Sequence, residues 1–455
     1  MRYSFWLFAV AVCHFSVWAQ GFRASKPGEV VDSVFCMANP NQSYALFLPR
    51  EYDENRSWPI IYFFEPLARG SLPVKKYQEL ANEFGFIFCG SNNSRNGPLA
   101  ENEKAFTALR KDSEARFNLD SSSIYVCGFS GGGRFSQYIA SKYEEIDGVI
   151  AVAGAKSTYS ANYPLVGDDL LYVGVVGTQD MNYLEHRHYE NELADKNITS
   201  HTVLYMGDHR WPPVPVFDQA LFWLDAVRKE ALHPQYIDHQ LSAIDSIKDV
   251  DVLEAHRLWS SLIRNFSIGE DQYRGLGDFF QGHKTLSKRK AGEAKEFDYE
   301  QKERVRLMEA LVHSSDYFTY TALVDSLTYD LVWWEKEITS IQNRSKRKGR
   351  WGRVYARLLD QMRGVLYGYS NRAESQNNTQ LSLFVNDLYL LLYPESVYLH
   401  WYRATLLAKQ GDQGKSLKHL KKAGKLNSSL LQNFRSQKKW LGLRDAYPFL
   451  FTPLP

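Results

Sequence analysis

The sequence predicts an α/β fold with a doubly wound, mostly parallel sheet, followed by an all-α C-terminal domain. In the first half, apolar runs of strand length alternate with helical patterns, and after about residue 231 the strand-like runs stop. Such alternation is typical of a parallel sheet covered by helices on both faces. A chain of 455 residues is also long enough for two or more domains.

The N-terminal segment predicts an export signal over residues 1–19. Arg2 precedes an apolar run that ends in Val17-x-Ala19, the small-residue pattern that signal peptidase recognises. We expect cleavage after Ala19, and hence a secreted or periplasmic protein without a transmembrane segment in its mature chain. A membrane anchor is the alternative, but the run is short and polar residues interrupt it. A lipid-modified Cys13 is a minor alternative.

The net charge argues against a nucleic-acid partner, and the cysteine count argues against a disulfide scaffold. Lys and Arg number 54 against 52 for Asp and Glu, giving a net charge of +2, so we expect no nucleic-acid partner. Removal of Cys13 would leave Cys36, Cys89 and Cys127, an odd number that excludes a disulfide scaffold. We expect these to be buried thiols, and no C-x-x-C spacing indicates a metal site.

The element pattern divides the chain into a domain over residues 22–230 and a helical domain over residues 235–455. The predicted strands are Tyr44–Pro49, Pro59–Pro66, Phe84–Asn92, Ser123–Ser130, Asp147–Gly154, Leu170–Gly177 and His201–Met206. The predicted helices between them are Pro73–Phe84, Glu101–Phe117, Gly132–Tyr143, Tyr183–Lys196 and Val214–Lys229. Several strands are apolar on both faces, as expected when helices cover both sides of a sheet.

Residues 395–428 resemble a tetratricopeptide repeat, a pair of antiparallel helices with small or apolar residues where they cross. His400 stands where that family usually has tryptophan, and Trp401 follows it. Such a region predicts a surface for a protein partner, or helices that shape a substrate cleft. The positions that carry the pattern are Ala404, Leu407, Gly411, Ser416, Leu420 and Ala423.

The segment Gly128-Phe129-Ser130-Gly131-Gly132 matches G-x-S-x-G between a predicted strand and a predicted helix. In that context the motif predicts a nucleophile elbow, a strained turn that lifts the Ser130 hydroxyl above the sheet. The flanking glycines remove side chains that would clash with the strand and helix, and the helix N-terminus favours negative charge there. An ordinary turn serine is the alternative.

Two later loops carry a carboxylate and an imidazole that could complete this site. Asp180 follows the strand that ends at Gly177, and His209 follows the next strand, so both are expected at the carboxyl edge of the sheet. A serine needs a base, and the base needs an orienting group. Some competitors precede their strand, adjoin His209 or lie in a helix body: Asp168, Asp169, Asp208, His186 and His188.

Residues from about Tyr44 to Arg228, under half of the chain, resemble the α/β-hydrolase superfamily. GFSGGGR, GTQD and GDHRWPP are similar to segments of dienelactone-hydrolase-like, feruloyl-esterase-like and polyhydroxybutyrate-depolymerase-like proteins. The resemblance implies an acyl-enzyme mechanism with Ser130 as nucleophile, His209 as general base and then acid, and Asp180 as the group that orients it. The implied reaction is hydrolysis of a carboxylic ester, without a cofactor or metal.

One departure from that family concerns the oxyanion hole, which usually uses an amide after a His-Gly pair. Here Glu65 and a proline occupy that place, and proline has no N–H. We therefore expect the backbone amides of Leu67 and Gly131 to be the donors. Glu65 is also a candidate substrate contact, with a structural role as the alternative.

Two further side chains are candidate substrate contacts. Arg95 follows a strand and could bind a substrate carboxylate, although stabilisation of its loop is the simpler role. Trp211 is either a wall of the cleft or part of the core. Arg134 lies one helical turn beyond the serine, and we expect it in a structural ion pair.

Two other functions remain open on the sequence. The chain could be an exported scaffold whose hydrolase domain is catalytically idle, which the departure at Glu65 favours, or a serine peptidase, since one triad serves both reactions. No insertion of lid size separates Ser130 from Asp180, so we expect an open site that admits bulky esters.

Overall fold

A computed structural model describes residues 26–156, 170–319 and 326–452. The predicted signal segment, with Cys13, and the competitors Asp168 and Asp169 lie outside the described residues. Contacts divide the chain into two compact units. The first, here the sheet unit, comprises Met1–Thr178 and Asn182–Arg289; the second, here the helical unit, comprises Gln179–Met181 and Lys290–Pro455.

The sheet unit contains an eight-stranded sheet in the order β1-β2-β4-β3-β5-β6-β7-β8 among the described residues. Its strands are β1 (Val30–Cys36), β2 (Asn39–Phe47), β3 (Trp58–Phe64), β4 (Ile87–Ser91), β5 (Leu119–Phe129), β6 (Gly148–Val152), β7 (Leu171–Gly177) and β8 (Ser200–Tyr205). β1 and β2 pair antiparallel, as do β2 and β4, whereas the pairs among β3 to β8 are parallel. The predicted parallel sheet is confirmed, and its architecture is that of the α/β-hydrolase fold.

Helices cover both faces of this sheet. They are α1 (Ser71–Phe84), α2 (Leu99–Arg116), α3 (Gly131–Lys142), α4 (Tyr183–Asp195), α5 (Val214–Arg228), α6 (His233–Ile247), α7 (Val252–Asn265) and α8 (Glu270–Gly282). Strand side chains alternate between two buried cores: Phe63 packs with residues of α1 and α5, whereas Tyr62 packs with residues of α2, α3 and α4. This alternation explains why the central strands read as continuous apolar runs.

The sheet unit extends beyond the boundary that we predicted at residues 230–235. Tyr236, Trp259 and Phe280, on α6 to α8, are buried in the same core as Phe217 of α5. Because these aromatic side chains are covered by the sheet-side core, the three helices belong to the sheet unit up to Arg289.

The helical unit confirms the all-α C-terminal part. Its helices are α9 (Leu286–Thr319, from Lys290 onward), α10 (Leu331–Ser345), α11 (Arg350–Ser375), α12 (Thr379–Leu392), α13 (Val397–Lys409), α14 (Gln413–Leu426) and α15 (Ser428–Ser436). Trp334 and Trp401 lie in its two apolar cores. Glu300 is also fully buried. It accepts hydrogen bonds of 2.8 and 2.6 Å from Arg357 and of 2.6 Å from Arg304.

The predicted helical hairpin near residues 395–428 is α13 and α14. The turn places Gly411 at φ +83°, and Asp412 caps α14 by accepting from Lys415 N–H at 3.0 Å. Ser416 donates to the Ala404 carbonyl at 2.7 Å, so small residues do meet where the helices cross. The hairpin is present, and its tetratricopeptide character stays a prediction.

Cys36, Cys89 and Cys127 are free and buried, as predicted. Cys89 lies on β4 and Cys127 on β5. Among the helices described, none combines the length and apolar character that crossing a bilayer requires.

Candidate active site

Ser130 occupies a strained turn between β5 and α3. Its backbone has φ 55° and ψ −119°, a conformation that costs a residue with a side chain about 1–3 kcal/mol. The turn is held from both sides, because Ser130 N–H donates to Val152 O at 2.8 Å and Gly133 N–H donates to Ser130 O at 3.0 Å. Ser130 is half-buried at the carboxyl end of β5.

Close backbone approach explains the glycines of this turn. A Cβ on Gly132 would lie 2.0 Å from Phe64 O, and one on Gly128 would lie 2.2 Å from Gly132 O. Gly154, after β6, is a further close contact that the sequence did not reveal, since its Cβ would lie 2.2 Å from Ser130 O. The elbow is thus packed backbone to backbone against the end of β3 and against the turn after β6.

The structure brings His209 to the serine. His209 follows β8, and its Nε2 lies 2.9 Å from Ser130 Oγ. The imidazole packs against Phe129, with ring centroids 4.7 Å apart. The neighbouring Asp208 contacts Arg210 through both carboxylate oxygens, so it forms a local ion pair.

Asp180 lies in the loop between β7 and α4, and its side chain is buried. Thr178 N–H donates to Tyr205 O at 2.8 Å, and a Cβ on Gly177 would lie 2.1 Å from Gly207 O. The loops that follow β7 and β8 therefore begin in direct contact. Asp180 stands three residues beyond Gly177, and His209 two beyond Gly207.

His186, one of the competitors, has a structural role. It lies in α4, it is buried, and its Nε2 accepts the Gly154 N–H at 3.0 Å. Burial lowers the pKa of His186 from 6.5 to about 3, with Arg134 adding repulsion. Arg134 contacts Glu185 in the ion pair that we predicted. His188 is exposed on the same helix.

The turn after β3 is organised by Glu65, which is 1% exposed. Its carboxylate accepts from Leu67 N–H at 2.7 Å and from Arg69 N–H at 3.3 Å, and it contacts the Arg69 guanidinium. Ala68, at φ 59°, donates its N–H to Glu65 O at 3.0 Å. The Leu67 amide, predicted as an oxyanion donor, is therefore already bonded to Glu65.

The other two candidate substrate contacts occupy different environments. The Arg95 side chain is exposed, and its backbone is fixed because Asn102 accepts from Arg95 N–H at 2.9 Å and donates to Arg95 O at 2.8 Å. Trp211 is 6% exposed. It packs against Phe129 and Tyr77, at centroid distances of 5.6 and 6.0 Å, so it contributes mainly to the core beneath His209.

The fold and the elbow define the class of the sheet unit as an α/β-hydrolase fold. No protein-family model matches this chain, and the search of curated proteins also gave no match. Among solved structures, an S-formylglutathione hydrolase from Staphylococcus aureus is 13% identical, with a TM-score of 0.36 over 44% of this chain and 98% of that chain.

A ferulic acid esterase is 15% identical, with a TM-score of 0.35 over 43% of this chain and 95% of its own. An esterase from Pyrobaculum calidifontis is 13% identical, with a TM-score of 0.36 over 45% of this chain and 86% of its own. The fold assignment itself stands on the strand order and the elbow described above.

Proposed function

We propose that this protein is a serine hydrolase that cleaves carboxylic esters through an acyl-enzyme at Ser130. The observation that carries the proposal is the 2.9 Å approach of His209 Nε2 to Ser130 Oγ on a positive-φ turn between a parallel strand and a helix. A positioned nucleophile within hydrogen-bond reach of a base is what acyl transfer requires.

His209 acts first as base and then as acid. Its Nε2 takes the Ser130 proton as Oγ attacks the carbonyl carbon, and it returns that proton to the departing alcohol when the tetrahedral intermediate collapses. Water then attacks the acyl-enzyme with the same proton transfers, which releases the acid and restores the serine. For Nε2 to accept, the imidazole proton must sit on Nδ1, and we propose that Asp180 holds that tautomer.

Charge that develops on the substrate oxygen is stabilised at the start of α3. The Gly131 N–H is the first of the helix and has no acceptor one turn earlier in it. It therefore can donate to an oxyanion beside Ser130. The helix dipole adds a favourable interaction with negative charge at the same end.

Fluorophosphonate labelling tests the proposal directly, because the probe reacts with an activated serine. We expect the wild-type protein to label, and Ser130→Ala and His209→Ala to remain unlabelled with kcat on p-nitrophenyl acetate lower by about 10⁴-fold or more. Ser122→Ala and His188→Ala, at exposed positions of the same unit, serve as matched controls and should label normally.

The same experiment separates the alternatives. A folded wild-type protein that neither labels nor turns over esters would refute the enzyme and favour the idle scaffold, for which the engaged Leu67 amide is the supporting observation. Labelling without ester turnover, together with cleavage of peptidyl p-nitroanilides, would identify a peptidase. Turnover across short and bulky p-nitrophenyl esters would define the acyl preference.

We also propose that the protein is exported, on the strength of the segment that ends in Val17-x-Ala19. N-terminal sequencing of the protein expressed from its full chain should begin at Gln20, and a retained Met1 would contradict export by this signal. A protein partner for the helical unit stays a prediction from the α13–α14 pattern.

A further inference from the structure

The amides after β3, the expected source of a second oxyanion donor, are engaged within their own turn. The Leu67 and Arg69 N–H groups donate to the Glu65 carboxylate at 2.7 and 3.3 Å, and the Ala68 N–H donates to Glu65 O at 3.0 Å. The residue between Glu65 and Leu67 is a proline, which has no N–H. An oxyanion bound at Gly131 therefore needs a second donor from another segment.

The Asn96 side chain lies beside Gly131. A Cβ on Gly131 would lie 1.9 Å from Asn96 Oδ1 and 3.4 Å from its Nδ2, so the side-chain amide rests against the Gly131 backbone. A Cβ is about 2.5 Å from its own backbone nitrogen. Asn96 Nδ2 and Gly131 N are thus within about 6 Å, a span that one oxygen can bridge with two hydrogen bonds of ordinary length.

The loop that carries Asn96 is held from both sides. Asn96 N–H donates to Pro66 O at 2.9 Å, and Leu67 and Arg95 form a bridge between the two loops. Asn102 fixes Arg95 through two further hydrogen bonds. Glu65 fixes the turn that carries Pro66 and Leu67 through its hydrogen bonds to the Leu67 and Arg69 amides, and the Asn96 side chain is exposed.

We propose that the side-chain amide of Asn96 is the second oxyanion donor of this enzyme, acting with the Gly131 N–H. The inference rests on the proposed function, because it assigns a donor to the tetrahedral intermediate at Ser130. Nδ2 donates to the developing O⁻ in acylation and in deacylation, and no proton is transferred. An amide donor of this kind typically contributes ~100–1000-fold to kcat.

The test compares Asn96→Ala, Asn96→Asp and the neighbouring Gly97→Ala in the full-length protein. A Cβ at Gly97 would meet Arg95 O only at 3.9 Å, so Gly97→Ala controls for a change in the same loop. With p-nitrophenyl acetate we expect kcat to fall ~100–1000-fold in Asn96→Ala, with KM changed by less than about threefold because the donor acts on the oxyanion. Gly97→Ala should match the wild type.

Affinity for an alkyl boronic acid, which forms a tetrahedral adduct with serine, should fall with kcat in Asn96→Ala. Asn96→Asp keeps the shape but loses the donor, so it should be at least as impaired, and it guards against a folding defect in the alanine variant. If wild-type turnover is intact and either variant keeps kcat within threefold, Asn96 is not the donor. If the wild type neither labels nor turns over, the proposed function itself has failed.

Discussion

Lowering the pH from 7 to 5 is expected to destabilise the sheet unit, with His186 responsible for about 2 kcal/mol. His186 is buried and neutral, its Nε2 accepts the Gly154 N–H at 3.0 Å, and burial lowers its pKa from 6.5 to about 3. Above pH 6.5 the folded and unfolded chains are both neutral at this site. As the pH falls through 6.5, the imidazole binds a proton in the unfolded chain but not in the folded chain, so the free energy of unfolding decreases.

The magnitude follows from that difference in pKa. A pH of 5 is about 1.5 units below the pKa of 6.5 of the imidazole in the unfolded chain, so that imidazole is protonated. In the folded chain the imidazole is still neutral at pH 5. At about 1.36 kcal/mol per unit, the loss is about 2 kcal/mol. His201, also buried and with a pKa lowered to about 4, adds a similar loss that is common to all variants below.

Urea unfolding at pH 7 and pH 5, followed by circular dichroism, measures the effect as a difference of two free energies of unfolding. His186→Gln keeps an acceptor for the Gly154 N–H but cannot be protonated, so its difference should be about 2 kcal/mol smaller than that of the wild type. His188→Gln changes an exposed residue of the same helix and should match the wild type. Equal pH dependence in His186→Gln and wild type would refute the reasoning.

Two further predictions concern the elbow and the helical unit. Gly154→Ala places a Cβ 2.2 Å from the carbonyl oxygen of Ser130, and the roughly 1 Å shift of the backbone that relieves this contact should lower kcat/KM about 100-fold. Gly275→Ala, whose Cβ would have nothing within 4 Å, should leave kcat/KM unchanged. Equal activities of the two variants would contradict the packing argument. Arg357→Leu leaves the buried Glu300 short of a partner and should cost about 3 kcal/mol in urea unfolding, whereas Lys302→Ala at an exposed ion pair should cost under about 0.5 kcal/mol; similar losses would remove the special role of the buried pair.

The strands that could be predicted are those buried on both faces. β3 (Trp58–Phe64) is buried almost throughout, and a continuous apolar run is its direct signature. β1 (Val30–Cys36) escaped prediction because it lies at the edge of the sheet. Asp32 and Ser33 interrupt its apolar residues, so no continuous apolar run marks the strand.

The extent of the sheet unit was beyond the sequence for a different reason. The pattern of an amphipathic helix such as α7 (Val252–Asn265) predicts an apolar face that is buried, but it does not predict which surface covers that face. The end of the strand-like runs near residue 231 therefore predicted a domain boundary, whereas the packing of Trp259 in the sheet-side core carries the unit to Arg289.

In the site, the features that depend on local motifs could be predicted from the sequence, whereas the contacts between distant segments could not. The turn at Ser130 follows from glycines adjacent in sequence, and the position of His209 follows from strand ends. The placement of Asn96 against Gly131 joins segments 35 residues apart, and the engagement of Leu67 by Glu65 depends on a turn with Ala68 at positive φ. An Asn-Gly pair in the loop after β4 was the available signal for Asn96.

The reaction of the three buried thiols with a thiol reagent would report when the folded chain opens. Burial raises the pKa of Cys36 to about 12 and those of Cys89 and Cys127 well above 9.0, so a thiol reagent can react only when the chain exposes them. Cys36 lies on the edge strand, whereas Cys89 and Cys127 lie on inner strands. In a Cys13→Ser background, the rate of modification of Cys36 would therefore report fraying of the edge strand. The rates for Cys89 and Cys127 would report global unfolding of the sheet.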